Sequence, residues 1–443
     1  MRSDPVAADV VIIGGGFSGT MLAAQLARRG LTAIIVEGRR RAGRGTAFST
    51  PEAVHLLNVP ATKMSAWPDE PDDFADTVAD EGYQPTDFVQ RRRFGAYVSA
   101  ILDEARASGR VALIDGQAID AKPRESSWTV SLEDGSRIEA GALALAHGNQ
   151  PPEPLLVAQG ISPDLFVNDP WSDEGRAAVL RIAQEGGDVL IVGTGLTMVD
   201  VVLSLDAAGH QGRIVALSRR GLTPRAHAPY EPVSVERDEV PHGSVTGLWR
   251  WLRNRAAQLG WRGAFDSLRP HSHALWQSLD EKQQKRFLRH ARPWWDVHRH
   301  RIAPEVAAVL KRLIREGRLE IVAGRIKSMR EGNRELVAGI QRRGKSEAKE
   351  QHFALGVNCT GPLGAIGRSE DGVLRNLFDA GLARPDWLGM GLDVDGRSRV
   401  AGAERLWAVG PLTKGRFWEI VAVPDIRGQV ADVAKDISEE LRK

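Results

Sequence analysis

Residues Asp9 to Glu37 constrain the fold of this chain more than any other stretch. The apolar run Val10-Val11-Ile12-Ile13 stops at Gly14-Gly15-Gly16, an Ala/Leu pattern of helical period carries on to Arg28, and a second apolar run, Ala33 to Val36, ends in Glu37. That order predicts strand, tight turn, helix, strand. Gly14 lets the chain turn, Gly16 lets the backbone approach a pyrophosphate, and Gly19 lets the helix pack on the strand. The phosphates of a dinucleotide would then lie on the helix N-terminus, beside Gly15, Phe17 and Ser18. A carboxylate at the position of Glu37 accepts hydrogen bonds from adenosine ribose hydroxyls, which points to an adenine dinucleotide without a 2′-phosphate, FAD or NAD.

A second signal of the same kind runs from Asp188 to Asp200, with the turn Gly193-Thr194-Gly195-Leu196-Thr197 and Met198 in the place of the third glycine. That glycine serves packing more than phosphate approach, so the fingerprint is weakened without being broken. The next strand, Arg213 to Leu217, ends in Ser218-Arg219-Arg220 instead of a carboxylate. A hydroxyl and two guanidinium groups suit a ribose 2′-phosphate, so NADPH is expected here in preference to NADH.

With 443 residues there is room for two or three domains. The formal net charge of +2 gives no reason to expect a nucleic-acid or membrane partner. No apolar run approaches the ~20 residues needed to span a bilayer, and no secretory pattern precedes the first strand, so a cytoplasmic location is expected. The single cysteine, Cys359, excludes an internal disulfide, a Cys-x-x-Cys redox pair and a cysteine-rich metal site, and reads as a buried inert thiol. His298 and His300 stand two apart with arginine beside each, which does not make a metal set; no metal is expected.

Between the two signals, Asp87 to Arg110 reads as a helix with Arg91, Arg92 and Arg93 on its solvated side, and Val111 to Ala146 as a run of strands ending at His147-Gly148. Pro151, Pro152 and Pro154 mark a linker. From Leu222 to about Arg301 the alternating rhythm breaks into helical segments rich in tryptophan, best read as core or lid packing. A helix from Val306, a strand at Leu319, a β-meander from Arg325 to Leu355 and a closing helix from about Asp425 complete the pattern. The fold class is therefore α/β with two Rossmann-like dinucleotide-binding domains. The first, discontinuous one is expected at 1–150 and 355–443, the second at 165–354 with a helical Trp-rich insertion at about 225–315.

Two glycine turns, two apolar strands running into a glycine (Leu145 to Gly148, and Ala354 to Gly361), and the late Leu406-Trp407-Ala408-Val409-Gly410 resemble the two-dinucleotide-binding flavoprotein superfamily. Its late turn usually carries an Asp where Pro411 stands. The stretches Gly43 to Phe48, His55 to Ala61, Ser218 to His227, Asp296 to Arg301 and Val409 to Ile420 resemble the bacterial FAD/NAD(P)-binding family that includes FAD-dependent urate hydroxylase and the nitrosuccinate-forming L-aspartate N-monooxygenase. The resemblance implies an NAD(P)H-dependent flavin monooxygenase acting with O2 on a small anionic nitrogen compound through a C4a-hydroperoxyflavin. It implies that Gly148, Gly361 and Gly410 join the FAD site. His55, Asn58, Lys63 and Ser65, on the polar loop after the first βαβ unit, become candidates for the flavin face, with an ordinary surface connection as the alternative. Arg299 and Arg301 become candidates for an anionic substrate group. An NAD(P)H:acceptor oxidoreductase without oxygenation, and a non-catalytic redox sensor, remain open.

Overall fold

The computed structural model describes residues 6–443, so residues 1–5 of the expected first domain lie outside the description. The chain forms two compact units. Unit 1 holds residues up to Pro51, Pro60–Gln150 and Leu363–Lys443; unit 2 holds Glu52–Val59 and Pro151–Pro362. In chain order the strands are β1 (Val6–Ile13), β2 (Ala33–Glu37), β3 (Val111–Asp115), β4 (Ala118–Pro123), β5 (Trp128–Leu132) and β6 (Arg137–Leu145) in unit 1. Unit 2 contributes β7 (Phe166–Val167), β8 (Val189–Val192), β9 (Ile214–Ser218), β10 (Leu319–Glu331), β11 (Leu336–Arg342), β12 (Lys349–Phe353) and β13 (Leu355–Asn358), and β14 (Leu406–Ala408) returns to unit 1.

The sheet of unit 1 runs β3-β2-β1-β6-β5-β4, with β14 also paired to β6. Pairing is parallel from β3 through β6 and antiparallel among β4, β5 and β6. β2 is buried along its whole length, as the unbroken apolar run Ala33–Val36 requires of a central parallel strand. The crossover helix Phe17–Arg28 buries every residue from Phe17 to Leu26, between the sheet and the C-terminal helix Val423–Leu441. That last helix is pinned by one buried carboxylate: Asp436 accepts from Arg399 Nε at 2.7 Å, Arg397 Nη1 at 3.1 Å and Trp407 Nε1 at 2.9 Å.

Unit 2 repeats the plan. Its sheet runs β12-β11-β10-β9-β8-β13-β7, parallel from β10 to β7 and antiparallel through β10, β11 and β12. β13 corrects the expected boundary, because its four residues pair in parallel with β8 instead of joining the first domain. The strand Leu355–Asn358 is buried throughout, which a place between β8 and β7 accounts for, and the chain returns to unit 1 only at Leu363.

The stretch expected as an insertion is helical: Val245–Ser267, Ser272–Ser278, Glu281–Arg286, a π-helical turn at Phe287–Ala291, and Arg292–Arg299. Its tryptophans pack on one another's neighbours. Trp261 meets the His298 ring edge-on at 4.9 Å, His298 stacks on Phe265 at 4.9 Å, and Phe265 lies 5.5 Å from Trp295. No described helix is long and apolar enough to cross a membrane, and no group of three metal-ligating side chains converges among the described residues.

Candidate functional site

The first glycine turn is fixed by contacts that admit no side chain. Gly14 has φ 104°, and a Cβ there would stand 2.4 Å from Ala146 O; a Cβ on Gly19 would stand 1.9 Å from Gly14 O. Gly14 N donates to Val36 O at 2.9 Å, while Gly15 O accepts from Gly43 N at 2.8 Å and Thr20 Oγ1 at 3.1 Å. A second small-residue loop thus lies on the first, with a Cβ on Gly45 only 3.0 Å from Gly16 Cα.

The helix that starts here, Phe17–Arg28, has Gly16 as its N-cap and no side-chain cap. Elsewhere Ser172 and Asp371 cap helices by accepting from Gly175 N and Leu374 N. A helix start without such a cap keeps its first amides and the positive end of its dipole for an anion. The buried Glu37 accepts from Gly15 N at 2.7 Å and from Arg39 N at 2.8 Å. Each carboxylate oxygen keeps capacity for a further donor, so Glu37 both stiffens the turn and can receive a ribose hydroxyl. The first of these tasks is one that the sequence did not announce.

Gly410 belongs to the same place, because a Cβ on it would lie 2.5 Å from Ser18 Oγ at the helix start. Its amide donates to Gln429 Oε1 at 2.7 Å, which ties the late turn to the C-terminal helix. Pro411 is the second residue of the short helical turn Gly410–Thr413, where a missing N–H costs little. Gly148 follows β6 with φ 68°, and a Cβ there would meet nothing within 4 Å, so its face is open.

In unit 2 the relation recurs. Gly193 has φ 119°, and a Cβ would stand 2.1 Å from Cys359 O. The pairing of β13 with β8 creates that approach, and Gly361, which follows β13 and was expected at the first site, falls in unit 2. Gly195 caps the helix Leu196–Ala207 without a side-chain cap and is surrounded by open space. Thr194 is buried; its hydroxyl lies 2.8 Å from Ser218 Oγ and within hydrogen-bond reach of Leu222 O. Met198 is fully buried where the first turn has Gly19, so this helix is packed by a side chain where the other needs backbone contact. Leu196 and Thr197 are half-buried at the helix start.

Ser218 closes β9 and accepts from Gly221 N at 3.0 Å. Arg219 is exposed, with no carboxylate paired to it among the described residues, whereas Arg220 reaches Arg289 O at 3.5 Å. Of the two guanidinium groups, Arg219 is thus the more exposed. Cys359 is buried, and that burial pushes its thiol well above the usual range, which makes it inert.

The other expected residues are distributed differently. His55 and Asn58 fall in unit 2, Lys63 and Ser65 in unit 1. The His55 ring is buried against the helix of the second turn, with Nε2 3.1 Å from both Asp200 O and Ser204 Oγ, so it acts in packing. Asn58 offers its carbonyl to His227 Nε2 at 2.9 Å. Ser65 is fully buried and clamps its own loop, its hydroxyl meeting Trp67 O at 3.2 Å and Glu70 O at 2.5 Å. Lys63 stays exposed on the short helical turn Ala61–Lys63.

Arg301 is buried and already paired. It is 2% exposed and holds Asp266 in a two-pronged pair at 2.6 and 3.0 Å, with Nε on His298 O at 2.9 Å. Burial together with Asp266 also pushes the Tyr230 hydroxyl up to about 12. Arg299, two residues away, is half-buried at the end of its helix. A half-open, mostly apolar cavity of about 550 Å³ is lined by linker residues including Pro154, Leu155, Phe166 and Asn168, and none of its lining residues belongs to either turn.

Residues 11–150 match the family described as FAD-NAD(P)-binding. No curated protein matches the sequence. Among solved structures, L-lysine 6-monooxygenase from Pseudomonas syringae is similar with a TM-score of 0.68 at 16% identity, covering 98% of this chain and 100% of that one. An ornithine N-hydroxylase from Kutzneria sp. 744, solved with reduced FAD, NADP+ and L-ornithine, gives 0.67 at 17% identity, covering 98% and 99%. Thioredoxin reductase from Lactococcus lactis gives 0.56 at 13% identity, covering 98% and 99%. The chain has the mixed α/β, two-domain, Rossmann-like fold of these monooxygenases and reductases.

Proposed function

We propose that this chain is an FAD-dependent NAD(P)H oxidoreductase of the monooxygenase class, hydroxylating a small, anionic, nitrogen-containing substrate such as urate or an acidic amino acid. The observation that carries the reading is the repeated cradle: two uncapped helix starts, each behind a glycine that a carbonyl oxygen forbids to bear a side chain. The differing strand ends divide the labour. Glu37 suits the unphosphorylated ribose of FAD, while Ser218 and Arg219 suit the 2′-phosphate of NADPH. When bound, FAD supplies the electron transfer from nicotinamide and the activation of oxygen.

The chain's own tasks are then holding and orienting. The amides of Phe17 and Ser18, with Gly410 beside them, receive the FAD pyrophosphate, and Glu37 receives the adenosine ribose. The amides of Leu196 and Thr197 receive the second pyrophosphate. Dithiol chemistry of the thioredoxin-reductase kind has no residues here, since the one cysteine is buried. Arg299 remains the candidate for the substrate anion, now without Arg301.

The test is NADPH oxidation by the purified protein with and without urate, L-aspartate and other acidic amino acids, with products identified by mass. An oxygenated product supports the reading. NADPH consumption yielding hydrogen peroxide alone, whatever the substrate, replaces it with the acceptor oxidoreductase. A colourless protein that takes up no FAD on reconstitution rejects both.

A further inference from the structure

The residue whose backbone stands beside the first turn carries a buried imidazole. His147 directly follows Ala146, whose carbonyl stands against Gly14, and its own amide nitrogen lies 3.2 Å from where a Gly14 Cβ would be. Its side chain is 6% exposed, and Nε2 is 3.3 Å from Asp371 Oδ1. Yet neither ring nitrogen completes a properly directed hydrogen bond with any described residue. Buried imidazole nitrogens are seldom left so, because desolvation is then uncompensated. A ligand that completes the bond removes the penalty.

Asp371 is built to stay where it is. It caps the helix Gly372–Asp379 through Leu374 N at 3.0 Å, and its backbone amide donates to Ser369 Oγ at 3.2 Å. Burial would raise its carboxyl, but His147 and the amides of Leu374 and Val373 outweigh this and hold it below the usual range. An anchored carboxylate beside an imidazole restrains the ring's orientation. A Cβ built on the next residue, Gly148, would meet nothing within 4 Å.

We propose that His147, positioned by Asp371, touches the dinucleotide held at the first glycine turn and offers a ring nitrogen to a phosphate or ribose oxygen of its ADP half. The inference rests on reading that turn as the FAD site. It adds a side-chain contact, from the segment that follows β6, to a site otherwise made of backbone amides and Glu37.

The experiment uses the full-length chain stripped of flavin, with FAD and ADP as probes and dissociation constants measured by fluorescence and calorimetry. His147→Ala weakens FAD and ADP by a similar factor of about ten, the worth of one hydrogen bond to a charged group. His147→Asn, which restores a donor and an acceptor, recovers to within about threefold of the wild type. Asp371→Asn keeps the helix cap, costs less than His147→Ala, and adds nothing when combined with it. The inference fails if His147→Ala binds FAD within about twofold of the wild type, or if Asn is no better than Ala. Glu37→Ala separates the two levels. If it weakens FAD while His147→Ala does not, only the His147 contact is wrong; if the wild type binds neither FAD nor ADP, the FAD reading itself falls.

Discussion

Gly193 and Cys359 sit so close that a methyl group on the glycine would stand 2.1 Å from the cysteine's carbonyl oxygen, the relation that Gly14 bears to Ala146 at 2.4 Å. Each pair marks where the chain leaving a strand passes close behind a glycine turn. Gly193→Ala is expected to destabilise unit 2 by about 3 kcal/mol or more, since it adds a clash to an unfavourable φ. Gly361→Ala, also at positive φ (93°) but with open space around it, is expected to cost about 1–2 kcal/mol. Urea melts of the two variants check the difference, and equal losses would count against the crowding argument.

Selectivity between reduced nicotinamides is expected to depend on Arg219. Arg219→Ala raises the KM for NADPH by roughly tenfold or more, the scale of a lost charge-assisted hydrogen bond, with little change in kcat or in the KM for NADH. Arg220→Ala has the smaller effect, because its guanidinium already leans on Arg289 O at 3.5 Å. Steady-state kinetics with both cofactors decide it; equal effects on NADPH and NADH would remove the 2′-phosphate assignment.

Arg301 is expected to behave as structure. Arg301→Ala strands the Asp266 carboxylate, which is 23% exposed, and costs about 3 kcal/mol. Combining it with Asp266→Ala returns part of the loss, because no unpaired charge remains. Chemical denaturation of the two single variants and the double one gives the coupling directly. A raised substrate KM at unchanged stability would restore Arg301 as a substrate ligand.

Asp436 supplies a pH dependence whose sign can be worked out. Burial pushes its carboxyl up, but the hydrogen bonds from Arg399 and Trp407 and the arginine charges outweigh burial and hold it below the usual range. Its folded value lies below the unfolded value of about 4, so its stabilisation is complete above the unfolded value and is lost as pH falls through the folded one. Between pH 7 and pH 3 the wild type should therefore lose more stability than Asp436→Asn, which starts lower. Parallel urea titrations that lose equal amounts would contradict this.

What could be read from the residues alone was whatever local pattern dictates. The glycine turns at Gly14 and Gly193, the strand ends at Glu37 and Ser218 and the helical Trp-rich stretch each follow from neighbouring residues, and the structure forms those elements. Pairing partners were less legible. Leu355–Asn358 reads as a strand in either domain, and only its hydrogen bonds to β8 assign it. Side-chain roles were least legible, because a polar residue in a loop looks alike whether it faces a ligand or its own backbone. Ser65 turned out to bind Glu70 O, His55 the helix at Asp200, and Arg301 a carboxylate 35 positions earlier in the chain. The one signal for His147 was its place between an apolar strand and a glycine, which says nothing of a missing partner.

The passage of the chain out of unit 1 at Pro51, back at Pro60, out again at Gln150 and home only at Leu363 bears on how the protein is made. A ribosome delivers β6 some 260 residues before β14, its parallel neighbour, and the helix that covers Phe17–Arg28 comes last of all. Throughout that interval the nascent first half carries an unfinished sheet and a bare apolar helix face, while unit 2 has everything it needs to close first. The unit whose fingerprint comes first along this chain is thus the later of the two to be completed.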